Sequence, residues 1–350
     1  YDGDLLTDKF DQNGNRFTHE FDGIGRVIET SDVEGGQWNF FDERPTFNQN
    51  RYGFNTAEGS LYETIRTVLP SGDVQKVTTY KDGSKVTNTL QADRLKKVTL
   101  SHEATTIINY LLDSKTRNEI PNTMTVTQPS GLTSQVLVSK TYAENGADTS
   151  SYTLVITENG RARTKEINTK TGLSVSTSAE GRTISRQSDT QTLLVQSVSP
   201  SGLIATTYLY DARGRLTEEK TGDRSTLYAY ENAQRGNVSA ITTADGKVTR
   251  FEYDVMDRVV KATYPDGHAT ESQYDSIGNS TTLVVPTPAN YSFAYNGVNR
   301  VTSKTTPLSE VTKYSYDKDR RLTQIELTSG QLISNTYING QLLKTTTPEA

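Results

Sequence analysis

Residues 210–216 read YDARGRL, and the same grammar returns as YDVMDRV at 253–259, YDSIGNS at 274–280, YNGVNRV at 295–301, YDKDRRL at 316–322 and YINGQLL at 337–343. A looser copy, YENAQRGNV, starts at Tyr230. Successive tyrosines lie 20, 23, 21, 21, 21 and 21 residues apart, so the chain is a repeat array. Each unit opens with an aromatic–acidic or aromatic–amide pair: Tyr210-Asp211, Tyr253-Asp254, Tyr274-Asp275, Tyr295-Asn296 or Tyr316-Asp317, with Tyr337 alone at the end. Turn residues such as Gly214 and Gly278 follow, supplying positive φ, while an Asp or Asn side chain can bond back onto the turn backbone. Next comes an arginine before an aliphatic residue, at Arg215, Arg258, Arg300 and Arg321. An alternating stretch, a second turn such as Ala244-Asp245-Gly246 and a second alternating stretch complete the unit. Two short strands and two turns per unit predict consecutive antiparallel hairpins.

Working outward, the grammar persists in altered form. Phe10-Asp11 and Phe21-Asp22 put phenylalanine in the tyrosine position, and Pro-Ser-Gly turns recur at 70–72, 129–131 and 200–202. The expected organisation is Phe-variant repeats over 1–30, an aromatic-rich insert or cap over 31–59, degenerate hairpin repeats over 60–209 and well-formed repeats over 210–350. Ile107–Leu112 fits either a buried strand or a short helical turn.

Composition points the same way. Of the 350 residues 33% are hydrophobic, with 25 glycines and 19 tyrosines, which is too few apolar side chains to bury both faces of every hairpin. One sheet face is expected to be wet. The absence of cysteine rules out disulfides and thiolate sites, and the net charge of −5, with both signs interspersed, gives no footprint for nucleic acid. No apolar run is long enough for a membrane span. Residue 1 enters in mid-pattern without a basic-then-apolar leader, so a removed signal or a piece of a longer protein is expected.

The Tyr-Asp-x-x-Gly-Arg-Leu array resembles the YD-repeat, or RHS (rearrangement hotspot), family, well over 210–343 and with Phe for Tyr over 10–28. The resemblance implies an all-β fold: a long, curved β-strip of antiparallel hairpins, part of a hollow shell. Relatives of this kind include toxin-complex components, wall-associated proteins, polymorphic toxins and the animal teneurins. It implies a non-enzymatic shell segment that encapsulates or presents a C-terminal toxin or effector, in a secreted or bacterial envelope protein. Its partners would be the rest of a longer polypeptide and an encapsulated toxin domain. The family's Asp-Pro-containing core and self-cleavage site have no counterpart, since no Asp-Pro occurs in the chain.

Chemistry-bearing constellations are scarce. His19, His102 and His268 stand far apart without metal-site spacing, and no nucleophile elbow or phosphate loop is present. Glu218 and Glu219, as strand neighbours, point to opposite faces. No cofactor, metal or catalytic residue is therefore expected. The repeat residues Tyr210, Tyr253, Tyr274, Tyr295, Tyr316 and Tyr337 are read as a packing ladder with the aliphatic residues, or else as a platform for sugars. The arginines are read as partners of nearby acids or turn carbonyls. The segment 31–59 is read as an edge-covering cap or as an aromatic site for a glycan or partner loop, with Trp38, Arg44, Arg51 and Tyr52 as contacts. Two further readings stay open beside the shell: a cell-surface carbohydrate- or protein-binding adhesion module, and a polysaccharide-active β-solenoid enzyme.

Overall fold

The computed structural model describes residues 2–143, 150–231, 236–287, 289–338 and 340–348. Part of the Tyr230 turn, Asn339 of YINGQLL and the last two residues of the chain lie outside the described residues. The fold is all-β, as expected: 31 strands and no helix among the described residues, every registered pair antiparallel and consecutive in sequence. Ile107–Leu112 belongs to the strand Ala104–Leu112, paired on both sides.

The chain divides into two compact units, Tyr1–Asn88 with Ala269–Ala350, and Thr89–His268. In the first, the ladder runs from Asp8–Phe10 through Val74–Thr79 and again from Ala269–Tyr274 through Gln341–Thr346. Its terminal strands, Asp8–Phe10 and Gln341–Thr346, each have one registered neighbour within the unit. The segment 31–59 forms strands Gln37–Thr46 and Gln49–Thr56, a hairpin within that ladder. The second unit carries the ladder from Lys96–Ser101 through Val259–Thr263.

Burial is shallow. Ala262 and Val298 are the buried hydrophobic residues among the described ones. Strands such as Thr133–Tyr142 and Ala289–Tyr295 alternate between exposed and half-buried positions. A sheet built this way gains little from a central core, and each hairpin is held mainly by its neighbours.

One irregularity recurs. The register shifts by one residue just before Tyr210, Tyr253, Tyr274, Tyr295, Tyr316 and Tyr337, and likewise before Phe21. The extra residue sits on the following strand. At Thr217, Thr281 and Thr323 the hydroxyl of the extra residue donates to a carbonyl of the strand before: Leu209, Gln273 and Ser315. The side chain thus meets the bonding need that the bulge opens in the ladder.

Candidate functional site

The YD motif is a self-contained turn. Asp211 Oδ1 accepts from the amides of Arg213 (2.9 Å) and Arg215 (3.0 Å), while Oδ2 accepts from Arg215 Nε at 2.7 Å. Asp254 with Arg258 and Asp317 with Arg321 repeat the arrangement. In Tyr295-Asn296, Asn296 Oδ1 accepts the Arg300 amide at 2.9 Å. The fifth motif position requires positive φ, which Gly214 meets at 78° and Gly278 at 100°, and which Asp257, Asn299 and Arg320 adopt at 61–63°. Backbone donation from Arg215 holds the Asp211 carboxyl below the usual range, and the Arg258 side chain does so for Asp254.

Five motif tyrosines then reach backwards. Tyr210, Tyr253, Tyr295, Tyr316 and Tyr337 donate their hydroxyls to the carbonyls of Val195, Val238, Ser280, Val301 and Leu322 at 2.8–2.9 Å. Several acceptors are themselves cross-strand partners of the preceding tyrosine: Ser280 of Tyr274, Val301 of Tyr295, Leu322 of Tyr316. The arginines complete the link, Arg215 lying 4.3 Å over Tyr230 and Arg321 4.8 Å over Tyr337. Burial raises the phenol pKa of Tyr253, Tyr295 and Tyr316, keeping them protonated as donors.

Within the first unit a row of these turns docks onto a second row at a nearly constant sequence offset. Asn13 donates to Asp275 (3.0 Å), Gly297 N to Glu34 (2.9 Å), Thr56 to Asp319 (2.8 Å) and Gln341 to Asp82 (2.6 Å). The separations are 262, 263, 263 and 259 residues. The turn after Tyr316 both accepts and donates across the rows. Asp319, its side chain 3% exposed, accepts from Thr56 and from Ser60 at 3.0 Å. Arg320 bonds Asp32 at 2.8 Å, and its guanidinium sits 4.8 Å over Trp38.

The four aromatic-segment residues do not form one cluster. Trp38 pairs with Thr30 and Thr56 and lies under Arg320. Tyr52 opposes Asp42 and Thr64 on the same sheet face as Trp38. Arg51 lies on the other face, held by Glu63 (2.5 Å) and Glu43 (3.0 Å) and lying 4.6 Å over Phe41. Arg44 is an exposed strand residue. Phe40, Phe54, Tyr62 and Tyr80 make a chain of ring contacts 5.5–6.0 Å apart, beside a recess of about 320 Å³ with Arg26 and Asp42 among its lining.

Sequence reasoning missed a polar cluster in the second unit. Asp113, 2% exposed, accepts from Lys140 (2.9 Å), Tyr142 (2.9 Å) and the amides of Lys115 (2.9 Å) and Thr116 (2.8 Å). These donors, the Thr116 amide first, hold its carboxyl far below the usual range. Lys140 lies 4.5 Å over both Tyr142 and Tyr152. All these partners are satisfied, so the cluster is a brace. Among the described residues no group of three or more His, Cys, Asp or Glu could hold a metal ion.

With this geometry in view, residues 1–295 match the Teneurin YD-shell family and residues 295–332 match the RHS Repeat. The chain belongs to the Teneurin YD-shell family. The tyrosine–carbonyl links and Asp–Arg turns are thus the local fastenings of a YD-shell wall. No curated protein matches the chain. Among solved structures, it is similar to the TcdB2–TccC3 complex without its hypervariable C-terminal region, with 12% identity, a TM-score of 0.46 and 98% of this chain covered. It is also similar to the Tc holotoxin pore of Photorhabdus luminescens, with 13% identity, a TM-score of 0.36 and 95% covered. The chain spans 22% of the length of each of those two chains.

Proposed function

We propose that the chain is a non-enzymatic wall segment of a longer YD-repeat shell, secreted or on the bacterial envelope, that encloses a C-terminal toxin or effector. The observation that carries this reading is the fastening itself: neighbouring hairpins are tied hydroxyl to carbonyl, without a deep core. A wall built so can stay wet, and a wet face does not trap an unfolded passenger. Limited proteolysis of the full-length parent polypeptide tests it. The passenger region should survive protease while the shell is native and be cut once mild urea loosens the strip. Cleavage at the rate of the isolated passenger would overturn the reading.

A second reading, glycan binding in cell-surface adhesion, is favoured by the recess beside Phe40, Tyr52 and Tyr62, where ring faces adjoin Arg26 and Asp42. Binding to a glycan array, lost in Tyr52→Ala with folding retained, would support it. Absence of binding at millimolar sugar would remove it.

A further inference from the structure

The second unit carries an open trough on one sheet face whose chemistry nothing above uses. Residues directly opposite each other on neighbouring strands share a face. The register therefore sets Leu154, Lys165, Ser176 and Ile184 in one cross-strand row. Ile156 and Arg163 form a row on one side of it, and Ile167, Ser174 and Arg186 a row on the other. Ser178 and Arg182 extend the same surface, and the trough encloses about 490 Å³. Serine hydroxyls thus form the floor. Arg163 and Lys165 stand on one bank and Arg182 on the other, with Leu154, Ile156 and Ile184 beside them.

Two features give the trough a ligand chemistry. The first is uncompensated charge. Among the described residues Arg163, Lys165 and Arg182 form no ion pair, although the chain has a net charge of −5. Nearby acids are accounted for: Glu180 pairs with Arg161, and Glu158 lies opposite Arg161 at the end of the hairpin. The second feature is spacing. Arg163 and Lys165 are two residues apart on a strand, about 7 Å, and the banks are two strands apart, about 10 Å. An extended polypeptide repeats its side chains on one face at that same interval of about 7 Å. No aromatic ring lines the trough to stack on a sugar, whereas the aliphatic side chains of Leu154, Ile156 and Ile184 do.

We infer that this trough is a binding site for an extended acidic polypeptide segment, whose carboxylates, repeated along one of its faces, meet the two banks. This rests on the encapsulation reading in one respect, that an unfolded passenger supplies the segment. In a wall otherwise balanced in charge, such a site holds a passenger by reversible, salt-sensitive contacts.

The test is fluorescence anisotropy on the 350-residue chain with labelled peptides of about twelve residues, one alternating glutamate with valine, the other serine with valine. The acidic peptide should bind at ~50 mM salt, with Kd raised about tenfold or more at ~300 mM. A similar loss is expected for R163Q/K165Q/R182Q, whose exposed positions leave the far-UV circular dichroism unchanged, and for Ser176→Asp, which places a carboxylate on the floor. Arg44→Gln, in the other unit, should leave Kd unchanged. Equal binding of the two peptides, or an unaltered Kd in both trough variants, would overturn the assignment. A heparin oligosaccharide binding the trough more tightly than the acidic peptide would also overturn it, in favour of an anionic polysaccharide. Failure here leaves the protease-protection result untouched, so the site and the encapsulation reading stand or fall separately.

Discussion

The phenol of Tyr316 donates to the carbonyl of Val301 at 2.9 Å, and Val301 is the cross-strand partner of Tyr295. One motif is thereby fastened to the one before it. Tyr316→Phe keeps the half-buried ring and removes only the hydrogen bond, so a loss of about 1 kcal/mol is expected. Tyr316→Ala removes the packing as well and should cost about 2 kcal/mol or more. Urea midpoints measure both, and a Phe variant indistinguishable from the parent would show that the hydroxyl contributes nothing.

Acid should loosen the turns. The Asp211 and Asp254 carboxyls sit below their unfolded range because they accept hydrogen bonds in the fold. Their stabilisation is present above the unfolded value of about 3.9 and is lost as pH falls from there through the folded values. Asp245, held at about 2 by Lys247 and Thr243, should lose its share as pH falls towards that value. Tm measured from neutral pH downward should decline below about pH 4, and the difference between parent and Asp254→Asn should shrink with it. A constant difference across the range would rule out the charged form as the stabilising species.

Asp319 should be the most sensitive point of the docked turns. Its removal leaves the hydroxyls of Thr56 and Ser60, both in buried residues, without their acceptor. Asp319→Ala is expected to cost about 2–3 kcal/mol. It should also speed amide exchange at Glu58 and blue- or red-shift the emission of Trp38, the sole tryptophan, which lies under the adjoining Arg320. In a double-mutant cycle Thr56→Ala should add little to Asp319→Ala. Full additivity would mean the two are not coupled.

Gly53 has no room for a side chain. An added Cβ would overlap the carbonyl oxygen of Tyr62 and meet the Phe41 ring at 3.0 Å. Because the obstacle is partly backbone, Gly53→Ala should force the strands apart at a cost of about 1–3 kcal/mol. Differential scanning calorimetry should show a lower Tm, and an unchanged Tm would mean that strands Gln49–Thr56 and Leu61–Val68 part at Gly53 without cost.

Much of the hairpin pattern was legible in the sequence because the interactions that make it are local. Asp211 bonds Arg215 four residues away, and Gly214 lies between them, so one seven-residue string contains its whole turn. Phe21 shows the same register shift as the tyrosines. Segment 31–59 was harder, since strands Gln37–Thr46 and Gln49–Thr56 lack the Tyr-Asp turn although their backbone pairs in the usual way. Ile107–Leu112 was ambiguous because a short apolar run carries no period that separates strand from helix.

The sequence by itself determined that the chain is all-β and where the YD turns fall, because the bonds that close each turn span no more than four residues. Only the tertiary structure decided which turn meets which. The third residue past the tyrosine is Ile277, Val298 or Asp319 in three successive motifs. It is buried as an apolar contact at Val298 and as a bonded carboxylate at Asp319. Nothing within the motif distinguishes those fates, because the partners Thr56 and Ser60 lie 263 and 259 residues away. The same holds for the serine-floored trough, whose cations come from separate strands and share a surface only through cross-strand register.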